Sequence, residues 1–162
     1  MSEHGSYSAV SDDRRTVTFV RRLPAPPERV WQALTGSAEL AVWLAPATIE
    51  PREGGSVRIE FGTPEELTTG TVRVWQPPTT LEHEWHHPGE DRSVVRYDLA
   101  PVDGGTELTL THRLLRSEQA AGYGAGWHAH LDALAAALRS QTHDWDADFA
   151  AVLPYYQELA AR

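Results

Sequence analysis

Apolar residues follow two different periods along this chain. From Thr16 to Leu114 they largely alternate with polar ones, and after Gly126 they return every three or four residues. The first period places neighbouring side chains on opposite faces of a strand; the second lines one face of a helix. The clearest helical stretch is Trp127–Leu138, rich in Ala and Leu, with Gly122, Gly124 and Gly126 just before it. At about 100° per residue, Trp127, Leu131, Leu134 and Leu138 form a narrow stripe. His128, Asp132 and Arg139 are predicted on the opposite, wet side. A stripe of this kind must be buried, and the strands upstream offer the large partner.

The elements follow in order. Thr16–Arg22 reads as the first strand and Pro24–Pro27 ends it. Two short helices are expected, about Pro27 to Leu34 and Ala38 to Leu44, separated by Thr35-Gly36. About six further strands follow, in connections too short for parallel crossovers. The best marked are Ser56–Phe61, Thr68–Trp75, Thr80–Trp85, Ser93–Leu99 and Thr106–Leu114. The chain is therefore read as α+β, an antiparallel sheet with the long helix on one face. Residues 1–15 are polar and are expected to form a disordered tail. Residues 16–141 form the domain, and residues 142–162 a helical extension. In that extension Trp145, Phe149, Val152, Tyr156 and Leu159 keep helical spacing, Asp144 supplies a start signal, and Pro154 should kink or break the helix. An aromatic stripe is not stable in water as a lone helix, so the extension must dock on its own domain or on a second copy. The protein is accordingly expected as a monomer or a homodimer.

Charge and composition narrow the function. A net charge of -9 disfavours nucleic acid and anionic membrane surfaces as partners. No apolar run approaches the length of a membrane span, and the first residues lack the apolar centre of a signal peptide, so a cytoplasmic location is expected. There is no cysteine, and every basic residue is an arginine, which removes thiolate and lysine Schiff-base chemistry. No Walker, Rossmann or nucleophile-elbow motif is present, and no cofactor is expected. His83, His86 and His87 are close in sequence, but a strand sends the first two to opposite faces, so no metal site is read from them.

The sequence Arg22–Thr35, with its Leu-Pro-Ala-Pro-Pro-Glu-Arg-Val-Trp run, resembles the opening of START-like domains of the SRPBCC superfamily. Trp43 and Pro46, Gly54-Gly55, Gly70-Thr71-Val72, Pro77-Pro78 with Leu81 and Trp85, Gly105–His112, and Gly126-Trp127 resemble the AHSA1-like group, the activator of Hsp90 ATPase homologues. The resemblance spans about Val17 to Leu138 and implies a helix-grip fold of the START/Bet v 1 type, a curved antiparallel sheet wrapped around the long helix with a hydrophobic cavity between them. Members bind lipids, sterols, hormones and polyketides, and some are cyclases.

The strand period proposes the cavity wall. Leu108, Leu110, His112 and Leu114 share a face, as do Leu81, His83 and Trp85, and Val95, Tyr97 and Leu99 on the next strand. His112 is read as a polar anchor or a satisfied core histidine, and His130 as a residue at the cavity mouth or merely beside the stripe. The candidate ligand-binding set is His112, His130, Trp85, Tyr97, His83, Trp127 and Leu110. The expected function is binding of a small hydrophobic ligand, aromatic or polyketide- or lipid-like. A cyclase or hydratase in the same pocket, or a protein-interaction module, are the alternatives.

Overall fold

The computed structural model describes residues 3–162. Eight antiparallel strands form one curved sheet: β1 (Ser6–Ser11), β2 (Arg14–Leu23), β3 (Ala47–Ile49), β4 (Ser56–Glu60), β5 (Leu67–Gln76), β6 (Thr80–Trp85), β7 (Ser93–Val102) and β8 (Gly105–Arg116). Their order is β1-β2-β8-β7-β6-β5-β4-β3. From β3 to β8 each strand pairs with its successor, as short hairpin connections require. β2 closes against β8 from the other end of the chain. Two short helices, α1 (Pro27–Thr35) and α2 (Ser37–Trp43), bridge β2 and β3. The long helix α3 (Ala120–Leu138) lies on the sheet, and α4 (Trp145–Ala160) packs on α3. This is the helix-grip architecture.

Register explains the core. Leu81 faces Tyr97, His83 faces Val95 and Trp85 faces Ser93 across β6 and β7, and Tyr97 faces Leu110 on β8. All are buried, so the alternating faces read from sequence do point inward. α3 places Trp127, Leu131 and Leu134 against them, all nearly inaccessible, while Leu138 is only half-buried near the helix end. Trp43 ties the short helices together, donating its indole N–H to the Ala33 carbonyl at 2.8 Å.

Four sequence expectations are corrected here. Residues 6–11 are a strand and not part of a tail: β1 pairs with β2 although most of its side chains face solvent, so it carries no inward apolar pattern to read. Met1 and Ser2 lie outside the described residues. Leu114 does not continue the inward set of β8. Between Val17↔His112 and Arg15↔Leu115, β8 carries one residue more than β2, and Leu114 takes up this bulge at φ 67° with its side chain exposed. Leu115 turns inward in its place, the usual result of one extra residue in a strand of period two. Pro154 does not end α4, which runs from Trp145 through Ala160 after Asp144 caps it by accepting the Ala147 amide at 3.0 Å. Finally, His128 and Asp132 are not on a wet face.

α4 is the reason for that last difference. Tyr156 is fully buried and packs over the side of α3 that would otherwise meet water. Its hydroxyl bonds His128 Nδ1 at 2.8 Å and accepts the Gly5 amide at 2.8 Å. Asp132 meets Arg21 Nη1 at 2.8 Å and His128 Nε2 at 3.4 Å, and Asp148 of α4 meets His143 at 2.8 Å. Ligating atoms of His128, Asp132 and Asp148 lie within 4.8 Å of one another, and Arg21 brings a cation to this group. Burial alone would raise the Asp132 carboxyl, but His128, Asp148 and Arg21 outweigh it and hold it below the usual carboxylate range. Asp148 moves up, through burial and the neighbouring Asp132.

Candidate ligand-binding cleft

The three glycines before Trp127 lie inside α3, not ahead of it. Residues four apart share a helix face, and the residue midway between them points away. Gly124 accordingly faces α4, where an added Cβ would run into the Tyr7 hydroxyl and the Tyr156 ring. Gly122 and Gly126 face the other way, and an added Cβ at either would meet no atom within 4 Å. The bare helix face they leave is one wall of a cleft of about 430 Å³. Phe61 beyond β4, Trp85 at the end of β6, and His87 and Glu90 in the following loop form the opposite wall. Tyr123, Trp127 and His130 of α3 complete the helix side, and Trp145 and Phe149 of α4, stacked at 5.0 Å, close one end. Beyond Trp145 a second hollow of about 850 Å³ shares Phe61, His130 and Trp145 as its border.

Hydrogen bonds fix the aromatic floor. Trp85 donates its indole N–H to the Tyr123 hydroxyl at 3.0 Å, and Tyr123 in turn donates to Glu90 Oε1. Burial, reinforced by the Glu90 carboxylate, pushes the Tyr123 phenol far above its ordinary range, so it stays protonated as the donor. Trp127 donates to His112 Nδ1 at 2.9 Å. An indole can only donate, so the ring proton of His112 sits on Nε2. That proton goes to Ser93 Oγ at 2.7 Å, and Ser93 donates to the Trp85 carbonyl at 3.2 Å. The chain from α3 through β8 and β7 to β6 leaves neither nitrogen of His112 open. His112 is completely buried, and burial, with His83 nearby, lowers its pKa to about 3.

Of the seven residues proposed from sequence, the structure brings Trp85, Trp127 and His130 to the cleft wall. His130 donates Nδ1–H to the Trp43 carbonyl at 3.1 Å, which leaves Nε2 as an acceptor; burial lowers its pKa to about 4. His112, His83, Tyr97 and Leu110 do not line the cleft. They face inward as expected and are buried: Trp127 of α3 stands against both His112 and Tyr97, Tyr123 stands over His112 at 4.8 Å, and His83 lies beside the Trp85 and Tyr97 rings. His83 bonds the Glu84 carbonyl at 2.8 Å, and burial lowers its pKa. His87 bonds Thr68 at 2.7 Å, and among the described residues His83, His86 and His87 do not form a group of ligating atoms about a common point.

Sequence reasoning missed Phe61, Glu90, Tyr123, Trp145 and Phe149 as wall residues. A signal was present in the i, i+4 pair Gly122 and Gly126, which implies a helix face without side chains. Glu90 carried none, because it lies in a loop without periodicity.

Replacing His112 by Leu should therefore act on the fold. It strands the Trp127 indole N–H in the core, at a cost of about 1–3 kcal/mol. Denaturant melts would show this. A variant as stable as the parent would mean the indole finds another acceptor.

The architecture and site define a helix-grip domain, and the family follows from the sequence. The model of the family described as "Activator of Hsp90 ATPase homolog 1-like protein" matches residues 24–139, and the chain belongs to this family. Among solved structures, CalU16 from Micromonospora echinospora is 21% identical, with a TM-score of 0.79 over 98% of this chain and 96% of its own. Protein BPP1335 from Bordetella parapertussis is 26% identical, with a TM-score of 0.72 over 97% and 92% of the two chains. MLL2253 from Mesorhizobium loti is 29% identical, with a TM-score of 0.68 over 78% of this chain and 97% of its own. The first two matches are long enough to include α4. No functionally curated protein matches the chain. Among the described residues, no helix is long and apolar enough to cross a membrane.

Proposed function

We propose that this protein binds a small, largely apolar ligand with an aromatic or polyketide-like body in the cleft between α3 and the end of β6. The observation that carries this reading is the pair Gly122 and Gly126. Both leave a helix face bare opposite aromatic side chains, although glycine weakens a helix interior by about 1 kcal/mol relative to alanine. A packed core would fill that face. Ligand pockets have this make-up, apolar walls with a few placed polar groups, and the volume falls within their usual range. The cyclase or hydratase alternative has less support, because His112, its expected acid or base, spends both nitrogens on Trp127 and Ser93.

Blocking the cleft tests the reading. Gly126→Phe adds a ring where nothing stands within 4 Å of the first carbon. The variant should fold with unchanged or slightly higher stability, since it removes a helix glycine. Native mass spectrometry of the parent should show a co-purified small molecule, and the variant should lack it. A molecule retained equally by both would place its site elsewhere.

A further inference from the structure

The charges around the cleft point to the kind of ligand, given the reading just made. The two acids on its wall, Glu90 and Glu118, form no ion pair among the described residues, and no arginine lines the cleft. Other carboxylates nearby are treated differently. Asp91, the next residue after Glu90, takes Arg14 at 2.8 Å and Arg116 at 2.9 Å. Glu82, on the outer face of β6, has Arg113 at 2.9 Å and Arg73 and Arg96 at 3.4 Å. Arg14, Arg73, Arg96, Arg113 and Arg116 are thus committed outside the cleft, the exposed Arg92 does not line it, and Glu90 is left with a neutral donor, the Tyr123 hydroxyl. A carboxylate partly withdrawn from water gains from a cation or further donors placed beside it. Beside it stand the rings of Trp85 and Tyr123, and aromatic faces attract cations.

We propose that the ligand of this cleft carries a cationic amine next to its apolar aromatic body, with the ammonium seated against Glu90 and the rings of Trp85 and Tyr123. The amine supplies the counter-charge missing from the wall, and its N–H groups reach Glu90 Oε2, the oxygen not used by Tyr123. The aromatic body extends along the bare face of α3 toward Trp127 and Trp145.

Three probes of one shape test this on the full chain: 2-naphthylmethylamine, 2-naphthalenemethanol and 2-naphthoate. Affinities are read from the indole N–H resonances of Trp85, Trp127 and Trp145 in NMR titrations near neutral pH. The amine should bind about tenfold more tightly than the alcohol, and the carboxylate most weakly. Added salt should weaken the amine and leave the alcohol alone. Glu90→Gln should bring the amine close to the alcohol. An alcohol or carboxylate that binds as well as the amine, or an amine preference that survives Glu90→Gln, overturns the cationic ligand while the cleft remains a binding site. Failure of all three to move these resonances overturns the cleft reading itself, and this inference with it. Should Glu90→Gln not fold, the salt response of the parent decides.

Discussion

Tyr156→Ala should lower the unfolding free energy by about 3–5 kcal/mol, the range for deleting a large buried aromatic ring. For a chain of this length that is roughly a 10 °C fall in Tm. Tyr156 is fully buried, its ring lies near Tyr7, Phe19 and His128, and its hydroxyl holds both the Gly5 amide and His128. Truncation after Gln141 should cost more still. It removes Tyr156 together with Asp148, Trp145 and Phe149, and exposes the side of α3 that carries Gly124 and His128. Because α4 packs on the helix of its own chain, the mass of the truncated protein in solution should equal that of a shortened copy in the parent's oligomeric state. Calorimetry and light scattering would check both statements. A dimeric parent that becomes a stable monomer on truncation would show that α4 serves a second copy instead.

Acid should unfold this protein early. His112, His130 and His83 are neutral in the folded chain because burial disfavours their charged forms, the first two with pKa values of about 3 and about 4. In the unfolded chain each titrates near 6.5, the ordinary value. The sign follows from proton uptake. Well above pH 6.5 both states are neutral and stability does not depend on these groups. Below it the unfolded chain takes up protons that the folded chain refuses, so stability falls as pH falls, by up to about 1.4 kcal/mol per pH unit for each histidine. Between pH 6.5 and 5 the loss should reach about 3–5 kcal/mol, a large part of the stability of an ordinary domain. Asp132, held below the usual carboxylate range, adds a further loss only at lower pH. Urea midpoints measured from pH 7.5 to 5 test this. A flat profile would mean that the three rings take protons without leaving the core.

Much of this architecture is legible in the chain because each strand from β4 to β8 carries its own alternation. Leu81, Val95, Tyr97, Leu99, Leu108 and Leu110 all point where period two puts them. Periodicity reports on which face meets the core, and it is silent where an element does not depend on the core. β1 comes close to that case: it is held by its pairing with β2, and only Tyr7 of its six residues turns toward the core while the others stay in solvent, which leaves no alternation to read. The burial of His128 was hidden for another reason. A helical wheel assigns water to whatever lies opposite the stripe, and only the later stretch of chain at Tyr156 takes that place. At the cleft, the inward direction of His112 was legible, but its partners come from β7 and α3, and such meetings belong to tertiary structure. Glu90 was out of reach in the same way, since its meaning depends on which carboxylates the arginines reach.

The bond from the Gly5 amide to the Tyr156 hydroxyl joins the two ends of the described chain across 151 positions of sequence. Tyr7 ties the same strand to the start of α3, donating its hydroxyl to the Ala120 carbonyl at 2.5 Å. Neither end can therefore fray by itself. Lifting α4 releases Gly5, and peeling the first strand uncovers Tyr156. In hydrogen exchange the Gly5 amide should open together with the amides of α4, as one unit, although by position it would rank among the fastest in the molecule.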